Sequence, residues 1–78
     1  MNEPRVEMGS KVRIGFQSGE IASYTIINNG YADPGHGIIS CDAPLGKALL
    51  GKKKGDMATY SVGGHVFYAE IIEISAAD

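Results

Sequence analysis

Two strand-forming runs near the end of the chain constrain its fold more than any other feature. Met57 to Val62 and His65 to Ile74 are separated only by Gly63-Gly64. A Gly-Gly pair between two such runs signals a two-residue hairpin, because the favoured tight turns need positive φ. The second run is apolar on both of its alternating sets. Phe67, Ala69 and Ile71 fall on one face, and Val66, Tyr68, Ile72 and Ile74 on the other. A strand of that kind reads as central or wrapped and not as an edge. The rest of the chain must supply its neighbours.

Upstream, Val12, Ile14 and Phe16 alternate with Lys11, Arg13 and Gly15, the period of a strand with one buried face. Gln17 to Glu20 is a polar turn containing a glycine, and a β-branched strand follows over about Ala22 to Asn28. Asn29 to Gly37 holds three Gly and one Pro in nine residues, so it reads as an exposed loop of the kind that carries function on a rigid scaffold. A very short strand, Gly37 to Ser40, precedes a helix over about residues 44–50. Pro44 stands at its first position and Gly51 just past its end. Leu45, Ala48 and Leu49 form its apolar stripe. Ala43 is a poor N-cap, with Asp42 the nearest side chain able to help. Met1 to Glu7 shows no periodicity and reads as a tail or linker end. The fold class is α+β: about five strands in an antiparallel sheet around one short helix.

A chain of 78 residues has a core that supplies only about 3–5 kcal/mol of net stability, which leaves little room for an enclosed active site. The charge balance is seven basic against nine acidic side chains, net −2. Binding through phosphate contacts needs a basic face, and only Lys47 and Lys52 to Lys54 offer one, so direct nucleic-acid binding is not expected. No apolar run reaches the roughly 18–20 residues of a membrane span. The first ten residues lack a signal-peptide pattern. With one cysteine, Cys41, an internal disulfide is impossible, and a reducing cytoplasm is the expected location.

The usual chemical constellations are missing from the pattern. His36 and His65 are far apart, with no carboxylate or thiol at metal-ligand spacing, and zinc needs three or four converging ligands. Neither metal nor cofactor is implied. Asp42 beside Cys41 disfavours a thiolate, so that thiol reads as inert. No serine has a G-x-S-x-G setting. Gly46 and Gly51-Lys52 do not make a phosphate loop, which has its glycines before the helix and Ser or Thr after the lysine. Lys52 to Lys54 suits the C-terminus of the preceding helix, with contact to an acidic partner as the alternative. No catalytic residue is assigned.

The string Ile39 to Asp56, I-S-C-D-A-P-L-G-K-A-L-L-G-K-K-K-G-D, resembles a segment of the C-terminal domain of the bacterial transcript-cleavage factors GreA and GreB. Met8 to Val12 is similar to that family's opening x-G-S-x-V strand. Tyr24-Thr25-Ile26 is similar to its Y-x-I strand, Ala32-Asp33 to the end of its E-A-D loop, and Gly63-Gly64 to its last hairpin. The match runs in order over about residues 6–74. Departures are Tyr31 for the acidic residue of E-A-D, Ala43 for the Ser that caps the helix, and Val62 for a Pro. The resemblance implies an FKBP-like sheet wrapped on a short helix, with residues 8–78 as the domain and residues 1–7 outside it. The N-terminal coiled coil that carries the cleavage carboxylates in that family has no counterpart in this chain.

The resemblance also implies a partner, bacterial RNA polymerase at its secondary-channel entrance, for a module that is a monomer and not an enzyme. Carried onto matched positions, the docking residues are Asp33, Ser40 and Pro44, with Tyr31 and Pro34 beside them. Ser40 and Pro44 have an alternative role in organising the helix start, whereas Asp33 in its exposed loop has no evident structural duty. A polymerase-binding protein like the regulators of nucleoside diphosphate kinase is the alternative within the same superfamily, since Ala before Pro suits that group. An FKBP-like prolyl isomerase is a reading from another class. It is disfavoured because such pockets centre on a Trp, which this chain lacks. Its aromatics, Phe16, Tyr24, Tyr60, Phe67 and Tyr68, are expected in the core.

Overall fold

A computed structural model describes residues 4–28 and 32–75. Strands β1 (Lys11–Phe16), β2 (Ile21–Ile27) and β3 (Ile38–Ser40) are followed by helix α1 (Pro44–Leu49) and strands β4 (Met57–Val62) and β5 (His65–Ser75). The five strands form one sheet in the order β3-β2-β1-β5-β4. The doubly apolar final strand is therefore internal, paired with β1 on one side and β4 on the other.

The expected sheet was antiparallel; the observed one is mixed. β2 and β3 run parallel, with Thr25 opposite Ile38 and Ile27 opposite Ser40. A parallel pair needs a connection that carries the chain back along the strand. Here the chain reaches β3 through a single 3-10 turn, Pro34–His36. The helix ends at Leu49, one residue earlier than expected, because Leu50 takes an extended ψ of 132°.

A second correction concerns the phase of β5. Ile14 lies opposite Ile71 but Arg13 lies opposite Glu73, so Ile72 is an extra residue, a β-bulge. Strict alternation would place Ile71 and Ile74 on opposite faces. The bulge instead brings Ile74 opposite Val12, and Ile74 packs against the same core as Ile71. Ile72 lies over Gly15, where an added methyl would approach its Cδ1 at 3.1 Å.

The core fills the concave side between sheet and helix. Val12, Ile14, Ile26, Leu49 and Ile71 are its largest fully buried side chains. Removing one such Leu or Ile side chain from a core costs about 2–5 kcal/mol, comparable to all the net stability expected at this size. The residues read as a tail are also part of the domain, as far as they are described. Val6 is buried, its N–H donates to the Lys52 carbonyl at 2.9 Å, and its carbonyl accepts from Gly51 N–H at 2.9 Å. No periodicity could mark a segment that contributes one apolar side chain and one short bridge.

Candidate functional site

Most of the sequence-derived docking residues gather around the edge strand β3, at the end of the sheet where β2 finishes. Asp33 and Ile38 exchange backbone hydrogen bonds of 2.7 and 3.0 Å, which closes the loop directly onto that strand. Pro34 starts the 3-10 turn, where its fixed φ suits the first position. Gly37 ends it at φ 76° in the left-handed region. Its carbonyl accepts from Thr25 N–H at 2.7 Å, and a methyl on Gly37 would sit 2.9 Å from the Ser23 carbonyl. Glycine is required there on both counts. Asp33, Pro34 and His36 are exposed. Tyr31 lies outside the described residues.

Asp33 has a structural duty that the sequence reading did not give it. Its Oδ2 is 2.6 Å from His36 Nδ1, with both side chains largely in solvent. In a 3-10 turn, residues three apart stack above one another, so D-P-G-H brings carboxylate and imidazole together. That spacing was the available signal. Among the described residues no group of three His, Cys, Asp or Glu converges in a way that could hold a metal ion.

Ser40 lies two residues beyond Ile38 on β3, half-buried, and its Oγ accepts the Asp42 N–H at 3.0 Å. Its carbonyl accepts from Ala43 N–H at 3.1 Å. The hydroxyl thus shapes the turn into α1, and the helix-organising role of Ser40 is present in the structure. Ala43 makes no side-chain cap, and Pro44 occupies the first helical turn, exposed. Gly46 is buried in the middle of the helix. An added methyl would overlap the Ser40 carbonyl, so a residue that costs a helix about 1 kcal/mol relative to Ala is what lets α1 lie against that turn. The surface left open is a rim of Asp33, Pro34 and Pro44 around a partly accessible Ser40.

The opposite end of the sheet holds a feature that sequence reasoning missed. β5 and β4 extend beyond the last residue of β1, leaving a notch of about 350 Å³ between the β4–β5 hairpin and the β1–β2 turn. Phe16, Tyr60, Phe67 and Tyr68 line it, with Gln17, Ser18 and Glu20. Tyr60 and Phe67 stack at 5.4 Å, and Tyr68 is 47% exposed. These aromatics were assigned to the core, yet they form its open margin. The signal was the excess length of the last strand over the first. Burial, assisted by Tyr24, raises the Tyr60 hydroxyl above its ordinary pKa of 10.0.

Comparison with known proteins bears on the whole chain. Residues 1–76 match the family described as "Transcription elongation factor, GreA/GreB, C-term". The chain is 40% identical over 75 residues to the transcription elongation factor GreA of Treponema pallidum, covering 95% of this chain and 46% of that protein. It is 46% identical over 57 residues to GreA of Bacillus licheniformis, covering 73% of this chain and 36% of the other. The chain thus spans about half or less of the length of these relatives. Among solved structures, the GreA/GreB elongation factor of Nitrosomonas europaea superposes with a TM-score of 0.74 at 32% identity, over 96% of this chain and 64% of that one. The GreA factor homolog 1 of Thermus thermophilus superposes with a TM-score of 0.80 at 26% identity, over 96% and 51%.

Proposed function

The chain belongs to the GreA/GreB C-terminal domain family, and from that premise we propose that it is the module by which a transcription elongation factor binds bacterial RNA polymerase. It docks at the secondary-channel entrance through Asp33, Ser40 and Pro44, flanked by Pro34 and Tyr31. The observation that carries this reading is the rim at the β3 edge. There the exposed Asp33 carboxylate and Pro34 stand on a loop held to Ile38 by paired hydrogen bonds, and the exposed Pro44 opens α1, so a partner meets a preformed surface. Location in the bacterial cytoplasm follows from the same reading. Among the described residues no helix is long and apolar enough to cross a membrane.

These 78 residues do not trigger transcript cleavage by themselves. Stimulated cleavage calls for carboxylates that help position a second metal ion and activate water at the polymerase centre. The described portion has a Cα radius of gyration of 11.6 Å, and its helix is six residues long, so it offers no arm to deliver them. Two measurements test the reading. Pull-down with bacterial RNA polymerase succeeds with this chain and loses most of its signal with Asp33→Ala. Full retention overturns the assignment of Asp33. With a backtracked elongation complex, the chain alone releases no short 3′ RNA and, in excess, slows cleavage by an intact factor. Release of that fragment by the chain alone defeats the proposal.

A further inference from the structure

The ladder between β1 and β5 ends in an unusual way at the aromatic notch. Gly15 lies opposite Glu70 and Phe16 opposite Ala69, so Gln17 would be next, opposite Tyr68. At Gln17 the chain instead leaves the sheet for the β1–β2 turn. The Tyr68 N–H, which points toward the vacated position, donates to the side-chain Oε1 of Gln17 at 3.0 Å. A side-chain amide stands where a strand carbonyl would be. Alternation along β5 places the backbone N–H and C=O of Val66 on the same edge. They have no hydrogen-bond partner there among the described residues. Val66 is itself 52% exposed.

An open strand edge beside aromatic rings is the arrangement that accepts an extended peptide. Backbone hydrogen bonds supply affinity and pockets beside the edge supply selectivity. The charge of the notch selects among peptides. Glu20 is the one carboxylate among the lining residues, and no basic side chain lines the notch. Aromatic faces and a carboxylate together favour a Lys or Arg side chain.

We propose that the notch between the β1–β2 turn and the β4–β5 hairpin binds an extended segment of a partner protein that carries a basic side chain. That segment continues the sheet along Val66 and Tyr68 and displaces the Gln17 amide. The site lies at the opposite end of the strands from Asp33 and Ser40. It is a second contact surface, independent of the polymerase-docking proposal.

The test titrates isotopically labelled chain with Ac-Val-Lys-Val-Arg-Val-NH2, and separately with Ac-Val-Glu-Val-Asp-Val-NH2, while amide NMR signals are followed. The basic peptide shifts the Val66 and Tyr68 backbone amides and the Gln17 side-chain amide, saturating in the millimolar range. The acidic peptide binds at least about fivefold more weakly. Glu20→Gln narrows that difference. Tyr68→Ala, at an exposed position that leaves the core untouched, weakens the basic peptide by a similar factor. Equal binding of the two peptides, or shifts confined to the Asp33–Pro44 end, overturns the proposal, as does the absence of any saturable shift. None of these outcomes bears on whether Asp33 contacts polymerase.

Discussion

At the β3 end of the sheet, polar groups near the proposed docking rim answer one another: Asp33 meets His36, Ser40 meets Asp42, and the loop is bridged onto Ile38. At the notch end, one backbone donor is held by a side chain and the next pair of groups meets no protein partner among the described residues. The first end is organised before any partner arrives, and binding there costs little ordering. The second end is incomplete as a strand ladder, and a partner that completes it gains backbone hydrogen bonds. One small sheet thus presents a finished surface at one end and an unfinished one at the other.

The largest expected effect comes from breaking the finished end at its closest approach. Gly46→Ala forces a methyl into the Ser40 carbonyl. It should cost about 3 kcal/mol, the upper part of the usual range for overpacking. In a domain this small that lowers Tm by on the order of 15 °C, readable by circular dichroism. An unchanged Tm would mean that helix and turn do not meet closely. Gly37→Ala adds a methyl at φ 76° against the Ser23 carbonyl and should cost about 2 kcal/mol. Denaturant melts would then show a lower midpoint at constant slope. Ser40→Ala removes the acceptor for the exposed Asp42 N–H and should cost about 1 kcal/mol. If Ser40→Ala weakens polymerase binding by much more than it weakens the fold, the hydroxyl contacts the partner as well.

The smallest effect sharpens the comparison from the notch side. Tyr60 carries a pKa raised by burial and, secondarily, by Tyr24. The fold favours its neutral phenol. Its contribution to stability is therefore complete below the unfolded pKa near 10 and fades as pH rises through the higher folded value. Near-ultraviolet absorbance should show the Tyr60 phenol ionising above the ordinary tyrosine pKa of 10.0. Tyr60→Phe should lessen the alkaline loss of stability.

Local signals read correctly where neighbours in sequence are also neighbours in space. Gly63 and Gly64 adopt φ 58° and 84°, as a two-residue hairpin demands. Pro44 opens α1, and β5 lies inside the sheet as expected, although Val66 and Tyr68 on its second apolar face are exposed. Where the partner is distant, the pattern was silent. Nothing in Ile38 to Ser40 announces a parallel neighbour, and Val6 has no periodic company. Ile74 changes face because of an extra residue that only the pairing with β1 reveals. The candidate site divides the same way. The proposed docking roles of Asp33, Pro34 and Pro44 came from family likeness, whereas the Asp33–His36 contact lay in the three-residue spacing of D-P-G-H. The notch depends on β5 outlasting β1, which appears only once the register is known.

The bulge at Ile72 leaves the chain with a spare rung. Because Ile72 and Glu73 together face Arg13 across the ladder, removing Ile72 would bring Glu73 into simple succession after Ile71 and keep Ile74 opposite Val12. The core would receive the same side chains from a strand one residue shorter. What would be lost is the cover over Gly15 and part of the local twist. This point in β5 is therefore a natural joint for changes in chain length. A one-residue deletion here, paired with a larger side chain in place of Gly15, trades one way of filling the convex surface for another. The same deletion elsewhere in the strand would turn its apolar residues to the wrong face.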